Sequence, residues 1–366
     1  MKDLTPVIVS ARRTPFGKRG GGLSGIHPAD LLAGVQSAVL ADANLDSAEV
    51  DLVLTGAVTK IGEQAYNIGR IGALTGGWPV EVPAVTFDAQ CGSSQQAVNM
   101  AASSIAAGAA EVVVASGVES MSRVPLGSDR ELGPGDPFSP VYLDRYELTT
   151  AGESAERIAD KWGISRDECD QFAWRSHQKA LAARAIVAAE LAPVVDADGT
   201  EHSVDECIRD STLENLARLK TVFRENGYHT AGSSSPITDG ASAVTLMSAA
   251  AARARGLTPL ARVAAQTIVG VDPTLRLTGP IPATHRLLKQ SGLSLDDINL
   301  FEINEAFSSV VLAWQREFTV DPARVNRNGG AIAIGHPVGA TVARLITSAV
   351  HDIRRSGDRY ALVAMC

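Results

Sequence analysis

Short β-branched runs alternate along this chain with longer Ala-rich stretches, and that alternation predicts an α/β protein whose sheets are covered by helices. Residues 7–9 form the first expected strand, followed by a Gly-rich loop over 17–25. A helix from about 28 to 43 comes next, with Pro28 near its start and Asp30 in its first turn. Further strands are expected at 52–54, 84–87 and 112–115. The stretch after Cys91 carries Ala97, Ala101, Ala102, Ala106 and Ala107 with Ser and Gly on its other faces, so it is expected to be a helix buried all round. A loop rich in Gly, Pro and Asp covers 127–140, and amphipathic helices follow at 154–162 and 166–187.

The pattern then repeats. Setting Leu45 on Leu293, a shift of 248 residues, also places Val50 on Ile298, Asp51 on Asn299, Cys91 on Gly339 and the 112–115 strand on a run at 360–363. One register across three elements indicates two similar βαβ-rich halves about a pseudo-twofold axis, with their central helices (91–108 and 339–355) starting close together. Residues 121–240 interrupt the pattern and read as an insertion before a return strand at 242–247. The expected organisation is therefore 1–120 with 241–258 as one half, 121–240 as the insertion, and 259–366 as the other half.

Composition narrows the class. Of 366 residues, 45% are hydrophobic and 20% charged, the balance of an ordinary globular chain with apolar mass for a large core. Disordered, collagen-like and disulfide-stapled miniprotein classes are excluded. Acidic residues (41) outnumber basic ones (33), the formal charge is −8, and no run of five basic residues occurs. A nucleic-acid groove or an anionic membrane surface is thus not an expected partner. Apolar stretches are interrupted too early for a membrane span, and the opening Met-Lys-Asp-Leu-Thr-Pro offers no secretory apolar segment. Cys91, Cys169, Cys207 and Cys366 form no CxxC pair and no metal-ligand spacing. No metal is expected, and a reducing cytoplasm is the expected location.

Cys91 lies in Asp88-Ala89-Gln90-Cys91-Gly92-Ser93, after a strand and at the start of a helix. Unpaired N–H groups and the helix dipole favour an anion there, so the thiol pKa is expected to fall; the alternative is an inert buried cysteine. His336, between Gly335 and Pro337, sits on a turn that the repeat brings beside Cys91. It is placed to act as general base for the thiol, or else is simply satisfied within its turn. Asn304 and Glu305 follow the strand at 300–303 and are placed either to hold a water or an oxyanion or to cap the next helix. Cys366, directly after a strand, falls near the same axis and is a second acid/base candidate. Two Gly-rich segments are set aside. Gly20 to Gly25 fits GxGxxG, but no helix opens on its last Gly, and Gly17-Lys18 is followed by Arg in place of Ser or Thr.

Together these residues make the chain resemble the thiolase family over essentially its whole length. The resemblance rests on QCGSSQQA around Cys91, NEAF at 304–307, NGGAIAIGHPVGA at 328–340 and the final Ala-Met-Cys. It implies a thiolase-like αβαβα five-layered fold of two duplicated βαβ-rich halves with a loop domain inserted in the first. The implied activity is CoA-dependent thiolytic cleavage of a 3-ketoacyl-CoA to acetyl-CoA and a shortened acyl-CoA. Cys91 would be the acylated nucleophile and His336 its base, and Cys366 would protonate the departing acetyl-CoA carbanion and then activate CoA. Asn304, through a water, would steady the enolate oxygen with His336, and the Cys91 N–H would serve a second oxyanion hole. Coenzyme A is the implied co-substrate, with no permanently bound cofactor. Ala231 and Ser235 would meet its pantetheine arm, Leu219 and Phe223 would line the tunnel with Phe307 among the contacts, and Arg209 would lie over the adenine. Arg218 and Lys220 are possible phosphate partners. A homodimer or homotetramer is implied as well.

Two departures from the family pattern matter. Short-chain biosynthetic thiolases wall the acyl pocket with His-Met-Gly, where this chain has Thr150-Ala151-Gly152. Losing the larger side chains opens the pocket, which points to a degradative enzyme for a bulky or longer 3-ketoacyl-CoA, such as one with a steroid side chain. The family also continues past this cysteine with a Gly-rich loop that supplies an oxyanion N–H, and with one more core strand. A chain that stops at Cys366 is expected to lack both. Two other functions fit the scaffold. The inserted CoA-binding segment and second cysteine argue against a ketoacyl synthase, and the complete set of chemical residues argues against a non-catalytic acyl-CoA-binding protein.

Overall fold

The computed structural model describes residues 3–366. Its strands are, in chain order, β1 (Pro6–Arg13), β2 (Gly17–Lys18), β3 (Leu52–Gly56), β4 (Ala84–Phe87), β5 (Val112–Ser120), β6 (Val194–Val195), β7 (Glu201–His202), β8 (Thr238–Ser248), β9 (Ala261–Arg262), β10 (Leu300–Ile303) and β11 (Ala361–Ala364). The larger sheet runs β4-β3-β5-β8-β1-β9, with β2 paired to β8. β3 is parallel to β4 and β5, whereas β8 is antiparallel to β5 and to β1. β10 and β11 form a separate parallel pair in which Ile303 faces Ala364.

Side-chain alternation along the strands assigns the layers. In β5, Val112, Val114 and Val118 join a core with Leu31, Leu32, Val35 and Val39 of the helix Pro28–Asp42. Val113 and Ala115 join a second core with Ala97, Ala101 and Ile105 of the helix Ser93–Ala106, and with Val342, Ile346 and Val350 of the helix Thr341–Ser356. Val363 of β11 packs on that second core. Phe301, Ile303 and Leu362 belong to a third core, with Val311 and Trp314 of the helix Ser308–Glu317. The sequence of layers is helix, sheet, helix pair, sheet, helix, which is the five-layered α/β arrangement anticipated above.

Several expectations change in detail. The helix after Cys91 is not enclosed: Met100, Ser103 and Ala106 are exposed. Its outer side meets irregular chain, where the Gln266 amide reaches Ser103 Oγ at 2.6 Å and the Asn99 amide reaches the Thr267 carbonyl at 3.3 Å. The helix surrounded on every side is Thr341–Ser356, buried without a break from Thr341 to Val350 because it lies between the two sheets. The strands expected at 112–115 and 242–247 extend to Val112–Ser120 and Thr238–Ser248, so the return strand begins before residue 241. Residues 127–140 include a helical turn, Ser128–Leu132. Among the described residues, no helix is long and apolar enough to cross a membrane.

Polar contacts join the 121–240 stretch to β1 and the loop after it. Arg13 is fully buried; its Nη1 and Nη2 donate to the two carboxylate oxygens of Asp205 at 2.7 and 2.9 Å, and its Nε donates to Glu190 at 3.2 Å. The Gly-rich loop has its own anion already: Glu206 accepts the N–H groups of Lys18 at 2.9 Å and Gly22 at 3.0 Å, and a Cβ on Gly21 would collide with that carboxylate. A Cβ on Gly22 would meet the His202 ring, and Gly20 takes a left-handed φ of +67°, so this run of glycines answers to local packing and turn geometry.

Candidate active site

Between β4 and the helix Ser93–Ala106 the chain reverses sharply. Gln90 takes φ +51°, a left-handed conformation that costs a residue with a Cβ about 1 kcal/mol or more. The reversal is held by Gln90 N to Asp88 Oδ1 (2.6 Å), Ala89 N to Ser93 Oγ (2.9 Å), Gly92 N to the Ala89 carbonyl (3.1 Å) and Ser93 N to the Gln90 carbonyl (2.9 Å). Cys91 is thereby set beyond the carboxyl ends of the parallel strands β3, β4 and β5, the usual place for a ligand site in an α/β sheet.

The smaller sheet delivers its residues in the same way. Asn304 and Cys366 follow the carboxyl ends of the paired strands β10 and β11, and Asn304 N donates to the Ala364 carbonyl at 3.0 Å. The Asn304 amide donates to the Cys366 sulfur and lies 3.5 Å from His336 Nε2, while its Oδ1 is buried without a partner. His336 N donates to Thr238 Oγ1 at 2.8 Å. The ring Nδ1 is 2.7 Å from Thr341 Oγ1, whose own proton goes to the Pro337 carbonyl at 2.8 Å. Thr341 therefore accepts, Nδ1 carries the ring proton, and Nε2 keeps its lone pair on the Asn304 side. Cys366 is also close enough for its charge to act on Cys91. The helices of the two halves start against each other, with Ala343 N donating to Ser94 Oγ at 3.1 Å. Cys91, Cys366, Asn304 and His336 are thus brought to one junction.

The electrostatics run against the expected low thiol pKa. Burial raises the Cys91 thiol, the neighbouring Cys366 and Glu119 raise it further, and its own N–H and Arg276 only partly oppose this. The helix begins at Ser93 with Gly92 as its cap, and lost hydration outweighs the dipole. Burial also pushes Cys366 up to about 11, against the Asn304 hydrogen bond. Burial, then the charge of Arg344, pushes His336 down to about 3. At rest both thiols hold their protons and the imidazole is neutral.

Glu119 and Thr341 escaped the sequence reading. Glu119, in β5, is fully buried and accepts Val58 N and Thr59 N at 3.0 Å each, Gln64 Nε2 at 2.6 Å and Gly339 N at 3.0 Å. It pins the start of the second-half helix to the loop after β3; a lone carboxylate within a strand run was the available signal. Glu305 does not cap the next helix, which has Phe307 as an N-cap without a side-chain bond. Glu305 accepts Ser176 Oγ at 2.6 Å, Asn326 Nδ2 at 2.8 Å and Ile332 N at 3.2 Å, and so holds the loop leading to His336.

Most of the expected CoA residues form a second group. Phe223 meets Phe307 edge-on at 5.4 Å, and Ser235 N donates to the Ala306 carbonyl at 3.0 Å. Leu219 lies beside Gly232, next to the exposed Ala231. Phe223 covers Gly152 so closely that a Cβ there would strike the ring. Leu219 and Phe223 are 39% and 37% exposed, high for apolar side chains held together. Arg209 stands apart. Its N–H donates to His177 at 3.1 Å, while Arg166 of the same helix holds the Leu219 carbonyl at 3.1 Å; the two anchors are about 16 Å apart at helical rise. Arg218 pairs with Glu214 at the surface.

Two duplicated halves in five layers, meeting at paired thiols, define a class of acyl-transferring enzymes. The family model for the thiolase N-terminal domain matches residues 6–250, and that for the thiolase C-terminal domain matches 257–366. A steroid 3-ketoacyl-CoA thiolase of Mycobacterium tuberculosis is 45% identical over 98% of this chain and 90% of its own length. A beta-ketoadipyl-CoA thiolase of Acinetobacter baylyi is 42% identical over 98% of this chain and 95% of its own. The crystal structure of the Bacillus anthracis acetyl-CoA acetyltransferase matches with a TM-score of 0.91 at 36% identity, covering 99% and 95% of the two chains. The chain belongs to the thiolase family.

Proposed function

We propose that this thiolase cleaves a 3-ketoacyl-CoA longer or bulkier than acetoacetyl-CoA, with Cys91 as nucleophile, His336 as its base and Cys366 as the second acid and base. The observation that carries this is the connected path from His336 through Asn304 to Cys366, with Cys366 in electrostatic reach of Cys91. Cys91 Sγ attacks C3 of the substrate as its proton passes to His336 Nε2, the nitrogen that Thr341 leaves unprotonated. Collapse breaks the C2–C3 bond, leaving the acyl group on Cys91 and the electron pair on C2 of acetyl-CoA, which takes a proton from Cys366. The CoA thiol then passes its proton to the Cys366 thiolate and attacks the acyl-cysteine, releasing the shortened acyl-CoA, and His336 returns its proton to Cys91. A Cys366 thiol raised to about 11 suits both steps, because it holds its proton at neutral pH and is a strong base once ionised. Asn304 and the protonated His336 steady the enolate oxygen, and the Cys91 N–H serves the tetrahedral intermediate.

Coenzyme A is the co-substrate in this proposal. It lies on the 121–240 insertion, between halves formed by 1–120 with 241–258 and by 259–366. Phe223, Leu219, Phe307, Ala231 and Ser235 take the pantetheine arm, and Arg209 lies towards the adenine. The absence of any bulky side chain in Thr150-Ala151-Gly152 supports a roomy acyl pocket, as do relatives named for steroid 3-ketoacyl-CoA and beta-ketoadipyl-CoA. Comparing kcat/KM across a panel of 3-ketoacyl-CoAs tests this; the longer or bulkier chains are expected to exceed acetoacetyl-CoA by about 10-fold or more, the scale of a few buried methylenes. A clear preference for acetoacetyl-CoA contradicts it.

Four free cysteines favour a reducing cytoplasm as the working compartment. Self-association is proposed through β4, a free edge of the larger sheet with Val85 45% exposed and the neighbouring Tyr66 89% exposed. A second copy pairing there makes a homodimer, and two such dimers a tetramer. Light scattering is expected to give a multiple of 38.2 kDa, and a single 38.2 kDa species contradicts the pairing.

A further inference from the structure

The end of β10 is gripped, on the edge away from β11, by one side chain. Val325 pairs with Phe301 in a short parallel bridge, and Asn326 N donates to the Phe301 carbonyl at 2.9 Å. The main chain then leaves the sheet, because Asn326 takes a left-handed φ of +46°, which asparagine tolerates better than most residues with a Cβ. Its buried side chain continues the ladder in place of the backbone: Oδ1 accepts Ile303 N and Nδ2 donates to the Ile303 carbonyl, both at 2.9 Å. The second Nδ2 hydrogen goes to Glu305 Oε1 at 2.8 Å, so both amide hydrogens are spent on residues that flank Asn304. The Ile303–Asn304 peptide unit is thereby held from both edges of the strand, its carbonyl by Asn326 and its N–H by the Ala364 carbonyl of β11 at 3.0 Å. The Asn304 side chain has little else to orient it: Nδ2 lies 3.5 Å from His336 Nε2, and Oδ1 is buried without a partner.

We infer that Asn326 is a positioning residue for the thiolysis proposed above, aiming the Asn304 amide at the enolate oxygen by locking the peptide unit that precedes it. The inference rests on that reading of Asn304. A donor fixed through its own backbone needs no reorganisation when the enolate forms, and a misplacement of about 1 Å at a reacting group costs about 100-fold in rate. Only a side-chain amide can accept from Ile303 N and donate to the Ile303 carbonyl at once, as a neighbouring strand would. The left-handed backbone has the same use, since it turns the main chain away and leaves the strand end to the side chain. The loop that carries His336 keeps an anchor of its own. Without Asn326, Glu305 still accepts Ser176 Oγ at 2.6 Å and Ile332 N at 3.2 Å, so the loss falls on Asn304.

A double-mutant cycle between Asn326 and Asn304 tests this, read with CoA and 3-oxohexanoyl-CoA or, if it turns over faster, 3-oxodecanoyl-CoA. Asn326→Gly accepts the left-handed φ and removes only the amide arm. It is expected to lower kcat by about 30-fold while KM changes by less than about 3-fold, as for a displaced donor that acts in the transition state. Asn304→Ala is expected to lower kcat by about 100-fold, the scale of a lost oxyanion donor. The double variant is expected to fall no more than about 3-fold below Asn304→Ala, because the group being aimed is gone. Losses that multiply in the double variant, as from a merely structural role, overturn the inference. So does Asn326→Gly within about 3-fold of the wild-type rate. Should the glycine form fail to fold, Asn326→Ala takes its place in the cycle with the same expectations, and failure of both to fold makes Asn326 structural and overturns the inference. Asn304→Ala at the wild-type rate removes Asn304 from the mechanism, and a wild type that cleaves neither substrate removes thiolysis; in either case the proposed function fails first and the inference with it.

Discussion

Cys91→Ala is expected to lower kcat for thiolysis by at least about 10⁴-fold, the scale seen when a covalent nucleophile is removed. The methyl group left behind offers no electron pair to C3, and no other thiol replaces it: Cys366 follows a different strand in the other sheet and is held by Asn304, and Cys169 and Cys207 are buried elsewhere. The substitution removes only a sulfur from a half-buried position, so acyl-CoA binding is expected to persist. Steady-state rates with the best substrate of the panel, together with binding of the same CoA ester, read both quantities. A variant within tenfold of the wild-type rate would take Cys91 out of the mechanism.

Arg13→Met is expected to destabilise the fold by about 3–5 kcal/mol, the cost of breaking a buried ion pair from one side. The Arg13 side chain is fully inaccessible and its partners Asp205 and Glu190 nearly so, and the three join β1 to the insertion. Removing the guanidinium strands two carboxylates in a dry interior. Asp205 would keep only the Phe16 N–H at 2.8 Å, too little to replace a charge, whereas Glu190 would keep the Ser348 hydroxyl at 2.9 Å and the field of the buried Arg344. Denaturant midpoints measure the loss, and an unchanged midpoint would show that the join between β1 and the insertion carries little stability. Replacing Asp205 and Glu190 by apolar residues in the same chain is expected to recover part of it, because the stranded charge is then gone.

Much of the fold was legible because it is written in local pattern and in repetition. The register that placed Cys91 over Gly339 foretold that the helices after β4 and before β11 start together, and the Ser94–Ala343 contact is that meeting. What pattern could not foretell was which of two similar helices ends up surrounded. Ala-rich composition suggested the helix after Cys91, whereas layer order encloses Thr341–Ser356. The direction of the Cys91 shift was misjudged for a related reason. A helix terminus is visible in sequence, but the desolvation imposed by the opposite half is not. Glu119 and Arg13 act through partners far away in the chain, so no spacing rule exposes them; Thr341 stands only five residues from His336, and there the spacing was available. The Gly20–Gly22 loop shows the converse, a motif whose glycines answer to a left-handed turn at Gly20 and to the close approach of remote Glu206 and His202 at Gly21 and Gly22.

The arrangement of thiols and imidazole is most directly tested by supplying an acyl-CoA without free CoA and mapping the modified peptides by mass spectrometry. One acyl group is expected per chain, on the peptide that contains Cys91, missing from the Cys91→Ala variant and discharged on addition of CoA. An acyl group on any other residue, or none while thiolysis proceeds, would contradict it.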